Sequence, residues 1–243
     1  MAPTILITRP GRVGAEFAER LEAQLDGDVT VVLSPLMRIE HCGALPQMAG
    51  YRTLIFTSRH GVEAYVAKGG RCDLPAFGVG EATAQAAREA GMNVTACGGD
   101  ARDLIAQLLS AGVTAPCLHL RGTHAASDIA TLLSSAGLET DEAVIYRQLP
   151  EPLTQVARTI LAGAEPVLVP LFSPRSARLF FGQACGAAPL LVAAISRNAA
   201  AAVPDDRVAA IEIAHAPSAD AMLDAIKKLL DKTKRLEGGN TAK

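Results

Sequence analysis

Short, wholly apolar runs alternate along most of the chain with longer stretches in which apolar residues return every three or four positions. A run of four or five aliphatic residues reads as a strand buried on both faces, and the longer period reads as a helix with one buried stripe. Thr4-Ile5-Leu6-Ile7-Thr8 is the first such run; Arg9-Pro10-Gly11 follows, then a segment whose Val13, Phe17, Leu21 and Leu25 recur every four residues. Residues 29–33 supply a second strand, after which Ser34-Pro35 turns the chain into Leu36-Met37-Arg38-Ile39-Glu40, extended and amphipathic. Strands near 53–57, 75–79, 93–97, 117–121 and 142–146 then alternate with helices near 60–68, 81–90, 101–111 and 124–136. Tyr146-Arg147-Gln148-Leu149-Pro150 reads as a second extended crossing. Beyond it come an amphipathic helix through Leu153, Val156, Ile160 and Leu161, strands near 166–172, 190–196 and 207–214, and a helix with Met222, Leu223, Ile226, Leu229 and Leu230 inward. Asp100, three residues before Asp103, and Ser218, after Pro217, are expected N-caps.

The pattern repeats. Residues 53–62 and 167–176 both carry an apolar strand into a hydroxyl-and-arginine turn and then a helix. Subtracting 56 from 172 gives an offset of 116 between Phe56 and Phe172, and the same offset carries Val79-Gly80-Glu81 onto Ile195-Ser196-Arg197. A near-constant offset over this length predicts two copies of one α/β unit. Three strands follow the second crossing and two precede the first, so the first copy is expected to be discontinuous. The predicted fold class is α/β, with two similar doubly wound parallel-sheet domains of flavodoxin-like form. Residues 1–36 plus 148–230 make the first, 37–147 make the second, and 231–243 form a charged, disordered tail.

A chain of 243 residues is ample for two cores, and 49% hydrophobic residues with only 4% aromatics means those cores are built from Val, Ile, Leu and Ala. The net charge of −2 argues against a general nucleic-acid binder or an anionic-membrane binder. Five cysteines (Cys42, Cys72, Cys97, Cys117 and Cys185), odd in number and without a C-x-x-C pair, predict reduced thiols in a cytoplasmic protein. No apolar run is long enough for a membrane span, and the first residues lack the basic start and apolar run of a signal peptide.

In parallel sheets, ligands gather beyond the carboxyl ends of the strands, where helix N-termini offer free N–H groups. Arg9, Arg59, Arg121, Arg175 and Arg197 all fall at or just past such ends, beside Thr8, Ser58, Thr123, Ser173 and Ser196. A guanidinium fork flanked by hydroxyls suits carboxylate or phosphate, whereas a hydroxyl serving only as a helix cap needs no arginine. With two domains, two such rims can face one cleft and hold a large ligand with several negative charges. Gly78-Val79-Gly80-Glu81-Ala82-Thr83 has Thr83 where a dinucleotide fingerprint wants its third glycine, which weighs against a nicotinamide enzyme. There is no Walker A loop and no G-x-S-x-G elbow, and the five histidines are scattered, so no metal is expected. His60 and His124 lie on the expected rim as candidate proton carriers; Tyr146 ends a strand at the crossing. The residues alone leave a two-domain cleft for a polyanion, compatible with an enzyme or with a non-catalytic two-lobed binder.

Ile5-Leu6-Ile7-Thr8-Arg9-Pro10, Phe56-Thr57-Ser58-Arg59-His60-Gly61-Val62, Gly78-Val79-Gly80-Glu81-Ala82-Thr83-Ala84, Val144-Ile145-Tyr146-Arg147, Phe172-Ser173-Pro174 and Pro217-Ser218-Ala219 together resemble, in order and spacing, the uroporphyrinogen-III synthase family. The resemblance spans residues 4 to about 230. It implies two α/β domains joined by a two-stranded ladder, with hydroxymethylbilane, a linear tetrapyrrole bearing acetates and propionates, held in the cleft. It further implies a cyclising lyase of haem biosynthesis that inverts the last pyrrole ring with loss of water, without cofactor, as a monomer. Tyr146 matches the tyrosine favoured in the family for assisting loss of the hydroxyl, and Ser58, Thr83 and Ser173 match cleft positions. Arg9, Arg59, Arg121, Arg175, Ser196, Arg197 and Asn198 complete the expected substrate contacts. Where many members read Gly-Pro-Thr-Thr, this chain has Ser196-Arg197-Asn198-Ala199.

Overall fold

A computed structural model describes residues 3–25, 29–98, 101–124 and 128–239. Strand β1 (Thr4–Ile7) leads into α1 (Gly11–Gln24), β2 (Thr30–Leu33) and β3 (Met37–His41). Next come β4 (Thr53–Phe56), α2 (Arg59–Ala67), β5 (Ala76–Val79), α3 (Glu81–Glu89), β6 (Val94–Cys97), α4 (Ala101–Ser110), β7 (Cys117–Gly122), α5 (Ile129–Ser135) and β8 (Thr140–Pro150). The chain closes with α6 (Gln155–Leu161), β9 (Val167–Leu171), α7 (Pro174–Phe181), β10 (Leu190–Ala194), α8 (Arg197–Ala200), β11 (Ala210–Ile213) and α9 (Ala219–Gly239). Of the two predicted caps, Ser218 accepts the Ala221 N–H at 3.2 Å, and Asp100 lies outside the described residues. The start of the helix expected at 124–136 also falls partly there; the described helix begins at Ile129, with Asp128 as its cap.

The chain forms two compact units, Met1–Arg38 with Pro150–Lys243, and Ile39–Leu149. The first holds a sheet of order β11-β10-β9-β1-β2, paired in parallel throughout. Alternation along its strands sends successive side chains to opposite faces. Ile5, Ile7 and Leu168 thus join Phe17, Leu21, Met222, Ile226 and Leu229 beneath α1 and α9, while Leu6, Val167 and Val169 join Leu153, Leu161 and Phe180 beneath α6 and α7. Burying each such side chain contributes about 1.5–3 kcal/mol, and a strand buried on both faces contributes at every position.

The second unit holds a sheet of order β3-β8-β7-β4-β5-β6, in which β6, β5, β4, β7 and β8 run parallel. Leu54, Phe56, Leu118 and Leu120 pack with Tyr65 and Val62 on one face; Ile55, Phe77 and Cys117 pack with Leu104, Leu108 and Leu133 on the other. Matching β4, β5, β6, β7 and β8 to β9, β10, β11, β1 and β2 makes the two strand orders identical.

Helix α9 continues to Gly239, whereas the charged composition of 231–243 predicted a disordered tail from residue 231. Asp, Lys, Arg and Glu do not stop a helix; the long charged side chains are good helix formers, and the first strong breaker here is Gly238-Gly239. No helix among the described residues is long and apolar enough to cross a membrane.

One buried side chain ties this fold to pH. His119 on β7 is fully buried; its Nε2 lies 3.3 Å from Thr57 Oγ1, and its Nδ1 has no hydrogen-bond partner among the described residues. Burial pushes its pKa down from 6.5 to about 4, against the opposing pull of Glu142. The unfolded chain therefore takes up a proton below pH 6.5 that the folded chain refuses until about pH 4, so this stability is whole above 6.5 and drains away as pH falls through that window. Urea unfolding of the wild-type protein is expected to lose about 2 kcal/mol from this group between pH 7 and pH 5. His119→Gln should flatten that slope, and an unchanged slope would assign the acid sensitivity to other groups.

Candidate active site

The carboxyl edge of the second unit's sheet collects Ser58, Arg59, Thr83, Arg121 and Tyr146. Thr57 ends the apolar strand, and Ser58, in extended backbone (φ −157°, ψ 144°), caps α2 by accepting the His60 N–H at 3.2 Å. Arg59 opens that helix, half-buried, with Nε 3.8 Å from Glu63 Oε1, and His60 Nδ1 lies 3.0 Å from the other oxygen of the same carboxylate. Between β5 and α3 the chain turns through Gly80, whose φ of +75° is a conformation that disfavours other residues. That turn places Thr83 in the first turn of α3, buried.

Tyr146 sits within β8, not at its end, and only 4% of it is exposed. The Gly122 backbone lies against the phenol, and Ser58 and Gly122 are the polar groups that act on its hydroxyl. The His60 ring meets the phenol edge-on, with centroids 6.1 Å apart. Burial pushes the phenol pKa above its ordinary value, while Ser58 and Gly122 pull it back. The group is therefore a protonated hydroxyl at neutral pH, available as a donor.

Arg121 lies on the same edge with all three of its nitrogens already engaged. Its Nε donates to Glu142 Oε2 at 2.8 Å, its Nη2 to Glu142 Oε1, and its Nη1 to the Gly122 carbonyl at 3.0 Å. The pair bridges β7 to β8 beside a register shift between Arg121 and Gly122. Glu142 raises the arginine's pKa, and the arginine in turn lowers that of Glu142.

The first unit's edge carries the rest. After β1, the Arg9 guanidinium lies 3.9 Å from the centroid of Phe172, which packs edge-on against Phe17. Ser173 caps α7 in a reciprocal capping box with Ser176, which leaves Arg175 in the first turn, half-buried. Ser196 accepts the Ala199 N–H at 3.3 Å, and Arg197 and Asn198 stand exposed in the short helix behind it.

Of the expected residues, Ser58 acts on the Tyr146 hydroxyl, lowering its pKa against the effect of burial. Gly122, Glu142 and Phe172 were not singled out as site residues. Phe172 was visible in the repeated stretch, and Glu142 as an acid in a strand; neither carries a local signal of the arginine it engages. Among the described residues no group of three or more His, Cys, Asp or Glu is arranged to hold a metal ion.

The family model described as "Uroporphyrinogen-III synthase HemD" matches residues 15–224. Among solved structures, the chain is similar to the uroporphyrinogen-III synthetase of Helicobacter pylori 26695 (18% identity, TM-score 0.67, 94% of this chain and 100% of that one). It is also similar to a mutant uroporphyrinogen III synthase from the extremely thermophilic bacterium Thermus thermophilus (17% identity, TM-score 0.54, 95% of this chain and 100% of that one). At such identities the structural likeness is one of fold. No curated protein matches the chain.

The occupied donors of Arg121 set a discriminating expectation. Arg121→Gln should lower the urea midpoint by an amount equivalent to about 1 kcal/mol, the ceiling for an ion pair that water partly screens. Its KM should stay within about twofold of wild type, and a large rise in KM with unchanged stability would make Arg121 a ligand contact instead.

Proposed function

The chain belongs to the uroporphyrinogen-III synthase family, and we propose that it closes hydroxymethylbilane into uroporphyrinogen III, inverting the terminal pyrrole ring with loss of water and without a cofactor. The observation that carries this reading is the family match over residues 15–224. Polar and basic residues at the carboxyl edge of each sheet support it, since the substrate is a polycarboxylate.

The chemistry asks for two things. The hydroxyl of the bilane must leave as water, pushed by the pyrrole nitrogen and helped by a proton, to give an azafulvene. The terminal pyrrole must then attack through its substituted carbon, so that the spiro intermediate fragments and recloses inverted. Tyr146 is assigned the first step, in which its protonated hydroxyl donates to the departing oxygen, with Ser58 as the polar side chain acting on it. Because the bilane also closes unaided to the non-inverted isomer, orientation is the larger demand, and binding geometry can supply up to about 7–11 kcal/mol in favourable systems. Carboxylate binding is assigned to Ser58, Arg59 and Thr83 in the second unit and to Arg9, Ser173, Arg175, Ser196, Arg197 and Asn198 in the first. Arg121 supports β8 through Glu142 and contributes to substrate only what its remaining N–H groups allow.

We read the two units as two copies of one flavodoxin-like domain joined through β3 and β8. Their matching strand orders support this, as do the recurring Ser58-Arg59 and Ser173-Pro174-Arg175 turns at equivalent strands. A monomer in the cytoplasm, with its five cysteines free, completes the proposal.

The test supplies hydroxymethylbilane and separates the two uroporphyrinogen isomers; formation of the non-inverted isomer alone would refute the synthase reading. Tyr146→Phe is expected to lower kcat by roughly 10²-fold with the fold intact, the lower end of what a positioned proton donor contributes. Arg59→Ala and Arg175→Ala should mainly raise KM, each by roughly 10–150-fold, the equivalent of one lost charge-assisted contact of about 1.5–3 kcal/mol. Unchanged kinetics in all three variants would show that the site lies elsewhere.

A further inference from the structure

The Tyr146 ring occupies a slot walled by two residues that have no side chain. A Cβ built on Gly122 would lie 2.6 Å from Tyr146 Cε2, 2.7 Å from Cζ and 3.1 Å from the hydroxyl oxygen. On the other side, a Cβ on Gly61 would stand 3.8 Å from Tyr146 Cε1 and 3.0 Å from the Leu120 carbonyl oxygen. Carbon atoms rest about 3.5–4.0 Å apart, so the ring and any side chain at 122 exclude each other.

Backbone conformation does not require this glycine. Gly122 is absent from the positive-φ positions, so an alanine could adopt its backbone without strain. What it does instead is local to Tyr146. Its backbone lies close against the phenol, so that a Cβ built on it would come within 3.1 Å of the hydroxyl oxygen. The register of β7 and β8 pairs Arg121 with Val144 but Gly122 with Tyr146, so the shift skips Ile145 and sets the glycine directly opposite the tyrosine. A regular ladder would have placed Gly122 opposite Ile145 instead.

We propose that Gly122 is a positioning residue for the reaction: it gives the Tyr146 ring its space directly across the strand pair, and so holds the hydroxyl in place. The atoms that a side chain at 122 would strike belong to the phenol itself, and that ring can swing about χ1 while the backbone stays in place. A substitution at 122 thus displaces the hydroxyl before it disturbs the fold. Gly61, on α2, closes the opposite wall and lets the helix approach the β7 backbone.

This inference rests on Tyr146 being the proton donor, and its test has a readout that does not depend on turnover. The protein has three tyrosines, so fluorotyrosine labelling gives three ¹⁹F signals, and Tyr146→Phe identifies one of them. Gly122→Ala is expected to shift the Tyr146 signal while the Tyr51 and Tyr65 signals stay put. Its kcat should fall roughly 10–100-fold with KM within about twofold, and the Gly122→Ala/Tyr146→Phe double variant should be no slower than Tyr146→Phe alone. An unmoved Tyr146 signal, or an unmoved kcat, overturns the proposal. Should Gly122→Ala prove less stable, pairing it with Tyr146→Leu is expected to restore the urea midpoint by relieving the ring contact; failure to restore it also overturns the proposal. A wild-type protein that yields no inverted isomer sinks the synthase reading alone, and the Tyr146 signal then still decides the slot.

Discussion

In a parallel sheet a strand can reach its neighbour only after the chain has crossed one face of the sheet, so each strand ends where a helix is about to begin. This constraint organises both units. Their strands are apolar on both sides because helices cover both sides, and their strand-to-helix turns share one edge. Ser58, Thr83, Gly122 and Tyr146 come to one edge, and Arg9, Ser173, Arg175 and Ser196 to another, because no other edge receives the carboxyl ends of these strands. Small hydroxyl residues satisfy the helix N–H groups there, so that role does not fall to the neighbouring arginines.

The same edge gives different residues different chemistry according to the face on which they emerge. Leu118 and Leu120 enter one core of the second unit; His119 and Arg121, one residue out of step, belong to the other face. His119, deeper in the sheet, meets a hydroxyl and little else, and burial keeps it neutral. Arg121, two residues nearer the edge, reaches Glu142 and stays charged. Tyr146 is a third case, in which desolvation raises the pKa while Ser58 and Gly122 favour the ionised oxygen. The result is a protonated hydroxyl in a fixed place, as a donor to a leaving group requires.

Strands, helices and their alternation were readable from the chain because burial of a strand on both faces and of a helix on one stripe leaves local periods of two and 3.6. So was the cap at Ser218, a short-range interaction between a side chain and a backbone three residues away, whereas Ser58, Ser173 and Ser196, expected as ligand contacts, also cap their helices. The recurrence of one order of apolar runs and turns was readable too, and the five matched strands of the two sheets follow one order. The tail shows the limit of this reasoning: composition marked residues 231–239 as polar but held no signal that would end a helix before Gly238.

The amino-acid sequence by itself therefore determined the alternation of strands and helices, the α/β class and the recurring strand-turn-helix pattern. Only the tertiary structure decided which residues meet. That Arg121 faces Glu142, that Arg9 lies on Phe172, and that Gly122 rather than a bulkier neighbour stands against Tyr146 all depend on strand register and on one skipped residue between β7 and β8. Register is a pairing between segments distant in the chain, and a shift of one residue exchanges the faces of every side chain beyond it. No local period encodes such a shift.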